Sequence, residues 1–340
     1  MNPVFPVTHS ILSVPALLAK ITADYTIDPP IDGHLLQLGL NDTFRLRTRS
    51  NRYIARVYRH GWRTRAEILY ELEALRHLQA RGVGVAAPIR RRDGELVDEV
   101  IAPEGMRYLV LFRNAEGEEP RYDEAAGAAH AGDRRSDAYL YGQSVARVHA
   151  ATADFTCDHD RFALDLDYLL AQPLAKIQPF LRDRPADWEY LSSFTKSLHQ
   201  RFEDGPIACL ETGFCHGDFQ GGNGHIQACR SLTFFDFDCC GWGWRAYDLA
   251  VFRWQVAVNG LPLWVWDAFL AGYRKERAIA AIDLAAISYF VAVRQVWIMG
   301  LHCGNSGDWG VGWLNGQYFA RSLNFLRTWE TDELDCLGQE

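Results

Sequence analysis

Between Thr43 and Arg59 the chain reads as two strands around a polar turn. Thr43 to Thr48 and Arg52 to Arg59 flank Arg49-Ser50-Asn51, and the second run sets Tyr53, Ala55 and Val57 against Ile54, Arg56 and Tyr58. A period of two sends the two sets to opposite faces of a sheet, so the segment predicts a β-hairpin. The period then lengthens. Ile68, Leu72, Leu75 and Leu78 recur at helical spacing, Thr64 and Glu67 hold the S/T-x-x-E spacing of a capping box, and Gly82 with Pro88 beyond it marks the stop. A turn at Asp93-Gly94 precedes the continuous run Arg107 to Phe112 (RYLVLF), the pattern of a buried strand, and the polar Arg113-Asn114-Ala115-Glu116-Gly117 follows at once.

The remainder is mainly helical in pattern. Tyr122 to Arg135, rich in Ala, Gly and charge, predicts a loop, and Tyr141, Val145, Val148 and Thr152 share one helical face. Beyond Asp167 helical spacing dominates, broken by strand-like runs around His225 and at Thr233 to Phe237. The sequence thus predicts an α+β protein of two lobes. Residues 1–112 form a small antiparallel sheet with one key helix, 113–120 a linker, and 121–340 a larger, mainly helical lobe.

Composition narrows the class. A chain of 340 residues with 48% hydrophobic and 23% charged positions can bury a substantial core and is neither disordered nor collagen-like. No apolar run reaches about 18 residues, so no membrane span is expected. The first residues lack a basic segment and carry Pro15 inside a short apolar stretch, which argues against a signal peptide and for a cytoplasmic protein. Thirty-five basic against 43 acidic side chains give a net charge of −8, which argues against nucleic-acid binding and favours a cationic or neutral substrate. The eight cysteines show no C-x-x-C spacing and read as buried thiols of a reducing compartment.

The chemistry concentrates between Phe214 and Ala250: FCHGDFQGGNGHIQ, then LTFFDFD, then GWGWRAYDLA. Asp218, Asn223 five residues later and Asp236 after an apolar strand make a set of oxygen ligands of the kind Mg²⁺ takes alongside substrate phosphates. Gly221 and Gly222 let the intervening loop turn tightly. His216 reads as a brace of this loop rather than a proton carrier. With one residue between them on a strand, Asp236 and Asp238 would share a face, which makes Asp238 either a second metal ligand or a solvated acid. Asp248 reads as a helix N-cap that also bonds the loop.

His216-Gly217-Asp218 with Asn223 resembles the H-G-D-x-x-x-x-N catalytic loop of the aminoglycoside phosphotransferase and choline kinase family, which shares the protein-kinase-like fold. Asp236-Phe237-Asp238 stands where that family carries its metal-binding aspartate, and Tyr247-Asp248-Leu249-Ala250 looks like its downstream D-L-A. The resemblance extends into the first lobe. Leu38 to Phe44, with Asn41 and Asp42, looks like the loop over the nucleotide phosphates, although it lacks the full G-x-G-x-x-G. Arg56 occupies the position of the usual lysine, Glu71 that of its helix partner, and Leu111 to Asn114, with Phe112 and Arg113, that of the hinge that holds adenine. The family implies ATP and Mg²⁺ as cofactors, a nucleotide cleft between the lobes, Asp218 as the group that orients the acceptor hydroxyl and takes its proton, and Asn223 and Asp236 as metal ligands.

Physical chemistry supports one of these pairings without the family. Arg56 faces out from a strand beside apolar neighbours, where an unpaired charge is costly. Glu71 lies about 40° around the helix from Leu75, so each needs the other. The expected reaction is transfer of the ATP γ-phosphate to a hydroxyl of a small molecule, an amino alcohol, homoserine-like metabolite or aminoglycoside. Chain length, the hinge and the tryptophan-rich C-terminal segment look nearest to the homoserine-kinase-like and stress-response branches. A Ser/Thr protein kinase and a noncatalytic nucleotide-binding protein are the alternatives, the latter kept open by Arg56. Net charge and the aromatic residues after the motif, among them Trp242, Trp244, Trp297, Trp309 and Trp313, suit an acceptor that carries an amine, although core packing explains each tryptophan as well. His302, Cys303 and Asp308 lack a complete metal-ligand set.

Overall fold

The computed structural model describes residues 5–122, 136–205 and 207–334. The loop expected over Tyr122 to Arg135 lies, from residue 123 on, outside the described residues. The described chain divides into two compact units. One comprises residues within Met1–Glu116 together with Phe155–Arg161 and Thr233–Asp238; the other comprises residues within Gly117–Asp154, Phe162–Leu232 and Cys239–Glu340.

The first unit is built on one antiparallel sheet. In chain order it contains α1 (Val14–Asp24), β1 (Asp32–Gln37), β2 (Asn41–Arg47), β3 (Arg52–Tyr58), α2 (Arg65–Ala80), β4 (Asp98–Ala102) and β5 (Gly105–Arg113), with strand order β1-β2-β3-β5-β4. The alternation in β3 decides what each face does. Tyr53, Ala55 and Val57 join Phe44, Leu46, Leu109 and Leu111 in a core closed by Leu17, Ile21 and Tyr25. Arg56 and Tyr58 leave the sheet on the opposite side and meet Glu71 of α2. The capping box forms as the spacing predicts, with Thr64 and Glu67 each bonding the other's backbone N–H, and Gly82 ends the segment at φ 74°.

Helix α1 and strands β1 and β4 go beyond the sequence reading of one helix and the central strands. Pro15 sits in the first turn of α1, where a missing N–H costs nothing. β1 and β4 are the sheet's edges, and none of the six β1 residues is fully buried, so neither shows a clean apolar alternation.

The second unit is mostly helical. Its elements are α3 (Asp137–Ala151), β6 (Ala163–Leu164), α4 (Gln172–Ile177), α5 (Pro185–Asp204), β7 (Thr212–Cys215) and β8 (Gly224–Ile226), and then, after β9 (Leu232–Phe234), β10 (Gly241–Trp244), α6 (Arg245–Val258), α7 (Leu263–Glu276), α8 (Ala281–Gly304), α9 (Ser306–Trp309) and α10 (Gly316–Trp329). β10 pairs antiparallel with β7 and parallel with β6, and β7 runs directly into His216. Helix α8 is the one described helix long and apolar enough to cross a membrane, yet 67% of its most apolar stretch is buried inside the protein.

Helices α3 and α7 cross at close range through two glycines. A Cβ on Gly142 would lie 1.9 Å from the carbonyl oxygen of Phe269, and one on Gly272 2.0 Å from that of Tyr139. Gly272→Ala gains about 1 kcal/mol of helix propensity but forces the helices apart, and overpacking of this kind costs about 1 to 3 kcal/mol. The variant is expected to lose stability in urea unfolding, whereas Gly307→Ala, with nothing within 4 Å of its new methyl group, is expected to lose none.

Candidate active site

In the first unit Arg56 holds two carboxylates. Its Nη1 donates to Glu71 Oε1 and its Nη2 to Asp236 Oδ1, both at 2.9 Å. Glu71 is fully buried, and its second oxygen accepts the Tyr58 hydroxyl at 2.8 Å. Burial works against the charge on Arg56, but Asp236 and Glu71 outweigh it and raise its pKa well above the usual value, so the guanidinium stays charged. Burial pushes the Glu71 carboxyl up, and Arg56 pulls it back. The arginine's planar fork lets one side chain serve both acids, which a lysine ammonium could not do with the same fixed geometry.

Asp236 and Asp238 do not share a strand face. β9 stops at Phe234, Asp236 turns through the left-handed region at φ 62°, and Phe237 to Cys239 form a 3₁₀ turn. Aspartate enters that region more readily than most residues. The turn separates the two carboxylates. Asp236 has a side chain 46% exposed, whereas Asp238 is buried, accepts Arg63 Nε at 3.0 Å and Trp62 Nε1 at 2.8 Å, and gives its backbone carbonyl to Arg63 and Arg161. Asp238 is therefore neither a second metal ligand nor a solvated acid. It ties the Asp236 turn to Trp62 and Arg63, which lead into α2, and Arg161 extends the tie to the Glu67 carbonyl.

The catalytic-loop motif lies in the second unit and hangs from one buried carboxylate. Asp248 Oδ2 accepts the His216 backbone N–H at 2.8 Å and Oδ1 that of Gly217 at 2.7 Å. The sequence places Asp248 at a helix N-cap, but Trp244 occupies that position and Asp248 lies inside the first turn of α6; its bonds to the loop are present. His149 Nε2 stands 3.0 Å from the same carboxylate, and its Nδ1 stands 2.9 Å from the Tyr273 hydroxyl. Burial lowers the His149 pKa against the pull of Asp248, so the ring is neutral and bridges the two groups with one donor and one acceptor. Gly217 is needed twice over: its φ is 77°, and a Cβ there would lie 2.3 Å from the Cys239 carbonyl oxygen. His216 is buried, stacks on Phe219 and accepts the Asp218 backbone N–H at Nδ1, 3.2 Å.

Asp218 is gripped on both carboxylate oxygens. Asn223 Nδ2 donates to Oδ2 and to the Asp218 carbonyl, both at 2.9 Å, and Arg294 of α8 pairs with Oδ1. Arg294 is 2% exposed, and its guanidinium lies over the rings of Trp297 at 4.6 Å and Trp254 at 5.4 Å. The sequence reading missed this residue. One signal was available: it is the only charged side chain between Asp283 and Asp308, and a lone charge in an apolar helix must find a partner.

The other expected site residues fall as follows. Asn41 and Asp42 begin β2, and both carboxylate oxygens of Asp42 are taken, by His9 and by Arg107. Phe112 is buried in β5 with the Arg56 guanidinium 5.2 Å from its ring, and Arg113 is exposed at the strand end. Trp244 stacks on Phe202 and lies tilted against Phe290, and Trp309 and Trp313 pack around His302. Burial, with Arg294 adding to it, lowers the His302 pKa to about 4, so this ring is neutral. Cys215, Cys239, Cys240 and Cys303 are buried, whereas Cys209 and Cys229 are exposed.

Asn223 and Asp236, one in each unit, are each oxygen donors of the kind a hard divalent cation takes. Both Asn223 N–H bonds go to Asp218, which leaves its carboxamide oxygen for a ligand, and Asp236 offers a partly exposed carboxylate. Among the described residues no cluster of three His, Cys, Asp or Glu suited to a metal occurs.

A model of the phosphotransferase enzyme family (APH) matches residues 37–286. An uncharacterized protein of Deinococcus radiodurans is 39% identical over 96% of this chain and 92% of its own length. A homoserine kinase of Neisseria meningitidis serogroup B is 26% identical over 72% of this chain and 73% of its own. Among solved structures, an amicoumacin kinase in complex with AMP-PNP, Ca²⁺ and Ami superposes with a TM-score of 0.72 at 20% identity, covering 93% of each chain. These structural neighbours fix the fold as the two-part, α+β protein-kinase-like one.

Two outcomes are expected from the first-unit cluster. Arg56→Met and Glu71→Gln should each cost about 3 to 5 kcal/mol because each strands a buried partner, and the double variant should cost less than their sum by about 1 to 3 kcal/mol; additive losses in denaturant titration would contradict the pairing. Asp238 supplies the second. Burial acts to raise its pKa, but Arg63, then Arg56 and Arg161, and the Trp62 N–H hold it at about 2 against an ordinary 3.8. A depressed acid stabilises the fold above its unfolded pKa, so about 2 kcal/mol should be present above pH 4 and lost as pH falls from 4 to 2. Asp238→Asn should start less stable and show a shallower acid limb in unfolding midpoints measured across that range.

Proposed function

The chain belongs to the phosphotransferase enzyme family, and from that membership we propose that it transfers the ATP γ-phosphate to a hydroxyl of a small molecule, with Asp218 as the proton acceptor. The observation that carries this assignment is the state of Asp218: a carboxylate held on both oxygens by Arg294 and Asn223, on a loop whose backbone is itself fixed by Asp248. A group so constrained can orient an incoming hydroxyl, and orientation is the larger part of catalysis when the phosphoryl transition state is loose. The acceptor oxygen forms a bond to γ-phosphorus, the bond to the β-bridging oxygen breaks, ADP departs, and the hydroxyl proton passes to Asp218.

Arg56 is assigned to the nucleotide phosphates, with Glu71 and Tyr58 fixing it from behind. Its guanidinium meets the helix glutamate, which supports the catalytic reading over the noncatalytic one. Phe112 and Arg113 are assigned to the adenine end, and Asn41 to the phosphate turn. Asp42 supports that turn through Arg107. Asp236 and Asn223 are each assigned as oxygen ligands of a divalent cation, Mg²⁺ in this reading, which when bound neutralises phosphate charge.

For the acceptor we favour an amino alcohol or a hydroxy amino acid, since relatives and structural neighbours include homoserine kinases, an amicoumacin kinase and an aminopropanol kinase. Trp254 and Trp297 do not supply the amine site, because their faces carry the protein's own Arg294. A location in the cytoplasm, where ATP is plentiful, suits this chemistry. Purified protein with labelled ATP and Mg²⁺ should phosphorylate a small hydroxylated amine from a panel of amino alcohols, homoserine, aminoglycosides and a generic protein. Asp218→Asn should lower kcat about 10² to 10⁴-fold with ATP affinity retained. Labelling of the protein substrate alone, or undiminished turnover by the variant, would overturn the reading.

A further inference from the structure

We propose that Arg294 is a positioning residue of the phosphoryl-transfer step: it fixes the direction in which Asp218 meets the acceptor hydroxyl. The inference rests on the reading of Asp218 as proton acceptor. Arg294 sits in the middle of α8, with no other Asp, Glu, Lys or Arg between Asp283 and the helix end at Gly304, and its guanidinium reaches the catalytic loop at two points. One Nη pairs with Asp218 Oδ1, and the other donates to the Gly217 carbonyl at 3.2 Å and reaches the Tyr247 hydroxyl at 3.4 Å. The guanidinium carbon lies 4.6 Å from the Trp297 ring centroid and 5.4 Å from that of Trp254. The guanidinium is thereby held by the loop and packed against two rings. With Asn223 on Oδ2, both carboxylate oxygens are held.

This grip has a cost that a simple tether would not need to bear. Arg294 Nε is buried and has no hydrogen-bond partner among the described residues, and a buried N–H left unpaired is destabilising. The guanidinium keeps both Nη groups on the loop rather than turn to satisfy Nε. In a loose phosphoryl transition state the hydroxyl proton leaves late, so the aim of the accepting carboxylate matters most. Orientation is the gain.

The prediction separates aim from architecture. Arg294→Met keeps the length of the side chain and removes its charge; kcat should fall about 10²-fold or more while KM for ATP stays within about threefold. Arg294→Lys, which restores a single charged donor, should recover at least about tenfold of that loss. A structural tether alone would lower the melting temperature of both variants and leave kcat of the folded fraction intact, and that result overturns the proposal, as would equal kcat for the Lys and Met variants. Should the Met variant not fold, Trp254→Leu opens one side of the guanidinium's slot without altering its charge: a lower kcat at unchanged KM for ATP supports the proposal and an unchanged kcat overturns it. Asp218→Asn, measured in parallel, distinguishes the two levels. An inactive Asp218→Asn with a fully active Arg294→Met sinks this inference alone, whereas an active Asp218→Asn removes the base and the positioning role together.

Discussion

A single guanidinium between two carboxylates organises the first unit. Arg56 leaves the sheet face opposite the core of Phe44, Ala55 and Leu111, and a buried charge there must be answered at hydrogen-bond distance. The answer comes from two separate stretches of chain, Glu71 of the nearby α2 and Asp236 of the distant 233–238 segment. Satisfying Arg56 therefore brings α2 and the Asp236 turn to the same strand. The Asp238 cluster repeats the device a few residues on, with Arg63 and Arg161 holding the turn against the start of α2. Arg56, Glu71, Asp236 and Asp238 are thus ordered by charge neutralisation as much as by apolar packing.

The second unit solves its corresponding problem with one carboxylate and several neutral donors. A tight loop leaves backbone N–H groups without secondary-structure partners. Asp248 collects two of them, and neutral His149 bridges from the same carboxylate to Tyr273. The loop then needs no long run of sheet bonds to stay in place. What it presents outward is Asp218, with Asn223 and Arg294 on its two oxygens.

Much of this was legible in the sequence, and the failures share a cause. The hairpin, the α2 capping box and the Arg56–Glu71 pair follow from local period and from the cost of burying charge, and both arguments use residues near one another in the chain. Helix α1 was hidden because Pro15 reads as a breaker unless its first-turn position is known. The shared face for Asp236 and Asp238 assumed that a strand continues to the last apolar residue, whereas the chain leaves the strand at Phe234 and turns through φ 62° at Asp236. Asp248 was recognised by its motif but placed one turn too early. Arg294 was invisible to motif and period alike, since its partner lies 76 residues upstream and no local spacing joins them.

The glycine crossing of α3 and α7 has a consequence for how this enzyme could change over evolutionary time. His149 rides on α3 and Tyr273 on α7, and their mutual hydrogen bond ends on the carboxylate that holds the catalytic loop. The two helices can therefore neither drift apart nor exchange their glycines for larger residues without disturbing the chemistry. New acceptor specificities would have to arise from elements that bear no such joint load, and the α3–α7 pair would be passed on as a fixed inheritance while the surfaces around it diversify.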